Sequence, residues 1–137
     1  VYDEFAGLAD LFAQRNDTTY LINFWATWCK PCLDELPLLQ EIERTYPDRP
    51  LEVLLVSLDT DPDAIARIPD YLDRRDIDLP TVVLTDQGSQ WQRELDENWD
   101  GSLPTTFIYR NGLRYVYRRN FRTLPDVRDA VMPLLDR

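Results

Sequence analysis

The sequence predicts an α/β fold with one central mixed sheet, parallel in its first half and antiparallel in its second. Three observations carry this. Two strongly apolar runs, residues 19–26 (TYLINFWA) and 51–58 (LEVLLVSL), read as strands buried on both faces. A helical pattern between them supplies the crossover that parallel neighbours require. Later, residues 104–110 and 113–119 flank Asn111-Gly112, a dipeptide suited to the tight turn of an antiparallel hairpin.

The elements follow in order. Asp3 is placed to cap a first helix with Phe5, Leu8, Ala9 and Phe12 on one face. The helix after the first strand should run over about residues 29–46, with Leu36, Leu39 and Ile42 facing inward. Pro31 suits its first turn, and Pro37 should bend it. Asp61 caps the next helix, with Pro62 at its first position. A short strand is expected near residues 81–85. Ser89 and Gln92 have capping-box spacing, so a further helix should start there. This strand and helix form an insertion between a βαβ half and a ββα half. Thr123 and Asp126 open a last helix that carries Val127, Val131, Leu134 and Leu135.

At 137 residues the chain has the length of a single domain, 1–137. With 44% hydrophobic and 29% charged residues it reads as an ordinary soluble globular chain. Acids number 25 against 15 bases, and the net charge of −10 disfavours nucleic acid as a partner. No apolar run reaches the ~20 residues that span a bilayer. The chain opens on Val1 rather than Met, which leaves room for a signal or membrane anchor upstream. Histidine is absent, which removes Ser-His and Cys-His catalysis and histidine-ligated metals. The two cysteines, Cys29 and Cys32, must act as a pair.

That pair sits at a junction. Trp25-Ala26-Thr27-Trp28-Cys29-Lys30-Pro31-Cys32 places a C-x-x-C just after a buried strand and at the start of a helix. The free N–H groups and dipole of a helix N-terminus favour a thiolate at Cys29, and Lys30 adds a positive charge. Cys29 is expected to face solvent, while Cys32, one turn deeper, should be less exposed and able to attack a mixed disulfide formed at Cys29. The plain alternative is half of a metal site or two idle buried thiols. With no other cysteine and no histidine, a metal would need carboxylates or a second chain.

Here the chain resembles the thioredoxin superfamily, and within it the extracytoplasmic thiol–disulfide oxidoreductases of the TlpA/ResA type. The matching pieces are NFWATWCKPC (23–32), ELP (35–37), SLDT around Asp59, and LPTTFIY (103–109) followed by the Asn111-Gly112 hairpin. The likeness covers residues 18–137 and implies a thioredoxin-like fold. It also implies a cis bond before Pro104, with the backbone of Leu103 left open to pair with an extended partner segment. A proline that merely begins an edge strand is the alternative. Typical thioredoxins carry a buried aspartate where this chain has Asn23, and an amide cannot relay a proton. The TlpA/ResA type often has a glutamate three residues after the second cysteine, here Glu35. On a helix that spacing brings it to the side of Cys32. Burial and a nearby thiolate would raise its pKa toward neutrality. Against this stands a solvated helix acid, since Asp34, Glu41 and Glu43 share the helix.

The resemblance implies a reductase of disulfides in exported proteins. It would be periplasmic or otherwise extracytoplasmic, associated with cytochrome c maturation or a related path, and fed by an upstream thiol donor. A monomer with no cofactor and no metal is expected. Trp28, Lys30, Pro31, Leu103 and Pro104 are the expected contacts to the partner. An oxidant or isomerase, or a thioredoxin-fold interaction module with idle cysteines, are the competing functions. Trp25 is expected in the core, and Trp91 and Trp99 are read as packing residues of the insertion. The Asp59, Asp61, Asp63 alternation resembles a calcium loop but lacks its glycine and final glutamate, so capping explains it better. Arg110, Arg114, Arg118, Arg119 and Arg122 cluster on the late hairpin, where edge charges normally block unwanted pairing; a docking surface for an acidic partner is the alternative.

Overall fold

The computed structural model describes residues 1–13, 16–46 and 50–135. Five strands form one sheet: β1 (Thr19–Trp25), β2 (Leu51–Ser57), β3 (Thr81–Val83), β4 (Thr105–Arg110) and β5 (Leu113–Tyr117). Their order is β3-β2-β1-β4-β5. β2 runs parallel to β1 and to β3, while β4 is antiparallel to β1 and to β5. The expected change from parallel to antiparallel therefore falls at the β1–β4 seam. Four helices join them: α1 (Lys30–Thr45), α2 (Pro62–Arg74), α3 (Gln90–Leu95) and α4 (Leu124–Leu135). The architecture is thioredoxin-like, with β3 and α3 as the inserted pair.

Alternation along the central strands builds two cores, one on each face of the sheet. Leu21 and Trp25 of β1, Val53 and Leu55 of β2 and Ile108 of β4 pack with Leu36, Leu39 and Ile42 of α1 and Val127, Val131 and Leu134 of α4. On the opposite face Ile22, Phe24, Val56 and Phe107 meet Phe5, Leu8, Trp91 and Trp99. β1 is buried at all but one position, as its apolar run predicts. Trp99 is central to the second core, with Phe24, Phe107 and Trp91 rings 4.8, 5.6 and 5.5 Å away. Its indole N–H donates to the Ser102 carbonyl, and that of Trp91 to the Asp86 carbonyl. Both are packing residues of the insertion.

Local signals succeed where one turn decides the outcome. Asp61 accepts from the Ala64 N–H and caps α2. Thr123 accepts from the Asp126 N–H, while the Asp126 carboxylate accepts from Arg122, a reciprocal cap at the head of α4. Asn111 and Gly112 turn the β4–β5 hairpin with φ of 48° and 92°. Two expectations fail. The N-terminal apolar pattern forms two 3₁₀ turns, Phe5–Gly7 and Ala9–Phe12, instead of one helix. Asp3 caps neither; its neighbour Glu4 begins the first turn without a side-chain bond. The segment is held by what it meets: the Phe5 N–H donates to Asp86, and the Phe5 ring stacks on Trp91 at 5.0 Å. Ser89 precedes α3 in helical geometry, φ −83° and ψ −13°, so its hydroxyl makes no cap. A capping hydroxyl needs an extended N-cap backbone.

On the late hairpin, Arg118 pairs with Asp96 at 2.7 Å. Arg110 donates to the Leu134 carbonyl at 2.8 Å and lies 3.8 Å from Asp17. These arginines tie the hairpin to its neighbours.

Candidate redox site

The site grows out of the C-terminal end of β1. After Trp25 the backbone turns through Ala26–Cys29, closed by a Cys29 N–H to Ala26 carbonyl bond of 3.2 Å. α1 starts at once, with Cys29 as its N-cap and Pro31 in its first turn. Cys29 and Cys32 form a disulfide with Cα atoms 5.3 Å apart. The Cys32 N–H donates to the Cys29 sulfur at 3.3 Å, so an otherwise unpaired amide of the helix end points at that sulfur.

The exposure of Cys29 departs from expectation. Cys29 is 6% exposed and Cys32 0%, so the order is as predicted but Cys29 is largely covered. The reason is visible in the cap: the Cys29 side chain folds back over the helix end to bond Cys32 and accept its N–H. Trp28 takes the outward position instead, at 73% exposure. Lys30 and Pro31 are also exposed, and Lys30 bridges Asp34 at 3.1 Å. That i,i+4 ion pair draws the Lys30 ammonium along the helix surface.

Glu35 is not a solvated helix acid; it is fully buried. The α1 positions Cys32, Glu35, Leu36, Leu39 and Ile42 form its inward stripe. One Glu35 oxygen accepts from Asn23 Nδ2 at 2.6 Å, the other from the Phe121 backbone N–H at 2.8 Å. Asn23 Nδ2 also donates to Thr106 Oγ1 at 2.9 Å. The register explains this bond, because Asn23 and Thr106 are direct partners across β1 and β4. Burial pushes the Glu35 carboxyl up from 4.5 to about 7, against the opposing pull of the Phe121 and Asn23 hydrogen bonds. The carboxylate bonds are to Asn23 and Phe121, and the inner cysteine lies one turn before it on the same stripe.

β1 and β4 pair with Phe24 opposite Thr105, so the head of β4 and the tail of β1 share one end of the sheet. Pro104, just before Thr105, follows a cis peptide bond from Leu103 and is buried; Leu103 is half-buried. The sequence-selected residues Trp28, Cys29, Lys30, Pro31, Cys32, Leu103 and Pro104 thus gather at this end, with Glu35 one turn deeper along α1. Phe121, whose amide completes the glutamate's cradle, carried no signal in the sequence. Asn23 was singled out as the residue replacing a buried acid.

The AhpC/TSA family model matches residues 6–115. The chain belongs to the AhpC/TSA family. Among its relatives, the thiol-disulfide oxidoreductase ResA of Bacillus cereus (strain ZK / E33L) is 32% identical over 87 residues, 64% of this chain and 46% of that protein. The chain spans less than half the length of the ResA proteins it matches. A secreted thiol-disulfide isomerase from Corynebacterium glutamicum superposes with a TM-score of 0.70 and 26% identity, over 95% of this chain and 75% of that one. A thioredoxin-related protein from Neisseria meningitidis serogroup B gives 0.72 at 22% identity, over 91% and 90%. These matches bear out the TlpA/ResA-type resemblance and the thioredoxin-like fold of this AhpC/TSA family chain.

Proposed function

We propose that this protein is a thiol–disulfide oxidoreductase that works as one domain, with Cys29 as the attacking thiol and Cys32 as the resolving one. The observation that carries the reading is the Cys29–Cys32 pair at the N-terminus of α1, with a buried glutamate one turn behind it. In the reduced protein the Cys29 thiolate attacks one sulfur of a partner disulfide. A mixed disulfide forms, and the other partner sulfur leaves as a thiolate and takes a proton. Cys32 then loses its proton, attacks the Cys29 sulfur, and releases the second partner thiol. Two electrons have moved to the partner, and the Cys29–Cys32 disulfide remains. An upstream dithiol donor restores the reduced pair by the same exchange.

Glu35 is the proposed proton carrier for Cys32. A carboxyl raised to about 7 is divided between its two forms near neutral pH, so it can accept the Cys32 proton and return it. The partner contacts are assigned to exposed Trp28, Lys30 and Pro31 and to Leu103 and Pro104 at the head of β4. An extended partner segment pairing along Leu103 is the mode that the family likeness supports.

The proposed direction is reduction of disulfides in exported proteins, outside the cytoplasm. The ResA relatives and the secreted isomerase of Corynebacterium glutamicum support that location. Among the described residues no helix is long and apolar enough to cross a membrane. Two measurements test the function. Insulin-disulfide reduction should be present in the wild type and lost in Cys29→Ser; activity that survives in Cys29→Ser refutes the assignment of the attacking thiol. Equilibration with glutathione then gives direction: a potential well below that of the strong oxidants, about −120 mV, supports a reductase, and one near that value assigns oxidation instead.

A further inference from the structure

Just past the end of β2 lies a buried acid that the exchange chemistry leaves without a task. Asp59 is 1% exposed, yet it sits in a loop. Its carboxylate accepts from the Thr27 N–H with both oxygens, at 3.2 and 3.0 Å, and from the Thr27 hydroxyl at 2.6 Å. The Ser57 hydroxyl donates to it at 2.5 Å, and the Asp59 N–H returns a bond to that hydroxyl at 3.0 Å. The Leu58 N–H adds a bond to the Trp25 carbonyl at 2.8 Å. The end of β2 is therefore bolted to the segment that leaves β1.

Thr27 is the second residue of the Ala26–Cys29 turn. The third, Trp28, points to solvent; the fourth, Cys29, caps α1 and receives the Cys32 N–H. A four-residue turn has few free torsions, so holding its second residue by amide and hydroxyl together constrains the direction of the next two. An exposed threonine would hold nothing. A buried carboxylate would be costly to keep unless its oxygens were all engaged, and here Thr27 and Ser57 engage them.

We propose that Asp59 is a positioning residue for the redox site: its grip on Thr27 sets the turn that delivers Cys29 to the helix N-cap and turns Trp28 outward. The inference rests on the reading of Cys29 as the attacking thiol. Loosening the grip lets the Cys29 sulfur leave the helix amide, so its thiolate loses stabilisation and its reactivity near neutral pH falls.

The test follows alkylation of the reduced protein by iodoacetamide from pH 5 to 9, resolved by cysteine with peptide mass spectrometry. Thr27→Val removes one hydrogen bond and no charge. It should slow Cys29 about tenfold at pH 7, the equivalent of one charge-assisted hydrogen bond, and move the midpoint of its pH profile upward. Thr27→Ser should restore both. A wild-type rate and midpoint in Thr27→Val overturn the proposal. Amide exchange of Thr27 in the oxidised protein decides the grip without the reaction: slow in the wild type and about tenfold faster in Asp59→Ala or Asp59→Asn if the grip holds, unchanged in both if it does not. Faster alkylation of Cys32 than of Cys29 in the wild type would instead overturn the exchange reading, with the Thr27 amide still reporting on Asp59.

Discussion

Replacing Glu35 with glutamine removes one buried proton site while keeping the size and most of the hydrogen-bonding capacity of the side chain. In the folded protein burial holds the carboxyl at about 7, against 4.5 for the ordinary group. Between those values the native state keeps a proton that the unfolded chain has released. Stability therefore falls as pH rises through this window, is highest below about 4.5, and levels off above about 7. The gap is worth about 3 kcal/mol. Glu35→Gln has no proton to lose, so that slope is absent from its curve, and all other titrating groups cancel in the comparison. The oxidised protein is the right material, because its disulfide-bonded cysteines do not titrate. Urea denaturation of oxidised wild type and Glu35→Gln from pH 4.5 to 8.5 should show the variant gaining about 3 kcal/mol on the wild type across the range. A difference that stays constant with pH would mean that Glu35 titrates in the ordinary carboxylate range, and the argument from its burial would be wrong.

Further outcomes follow from the same contacts. Asn23→Ala removes a donor to the Glu35 carboxylate, so the glutamate should titrate higher than in the wild type; carboxyl-carbon NMR of the oxidised protein reads the shift, and an unmoved midpoint contradicts the cradle. Trp99→Ala opens the aromatic core over β1 and β4 and should cost about 3–5 kcal/mol in urea denaturation; a loss under 1 kcal/mol would mean that the insertion is only loosely attached. Thr123→Ala should cost about 1 kcal/mol through the lost α4 cap, and an unchanged denaturation midpoint would show that cap to be idle.

What the residues alone revealed depended on the range of the force involved. Asn111-Gly112 and Asp61-Pro62 act within one turn, and both do what their chemistry predicts. The position of Cys29 at a strand-to-helix junction follows from an apolar run meeting a proline-marked helix start, again local. The place of Glu35 beside Cys32 follows from the family resemblance and the i,i+3 spacing, but its burial is decided by the fold, since a solvated helix acid fits the same local pattern. The failures are contacts across the fold. The N-terminal segment has helical periodicity, but its packing on Trp91 and the Asp86 bond hold it in short 3₁₀ turns. Phe121 lends a backbone amide to Glu35 across 86 residues, and a backbone amide has no side-chain signature. Asp59 looked like part of a capping or cation loop because its true partner, Thr27, lies 32 residues away. Cys29 was expected in solvent because a helix N-terminus is usually open, whereas its bonds to Cys32 fold it inward.

The division of labour between the two sulfurs is tested most directly by trapping the covalent intermediate. Reduced Cys32→Ser protein is mixed with a disulfide-bonded protein substrate, quenched in acid, and mapped by non-reducing mass spectrometry. A mixed disulfide should accumulate at Cys29, because no second thiol remains to release it, while the same treatment of Cys29→Ser should trap little. Equal trapping at either cysteine, or trapping only at Cys32, would contradict the account.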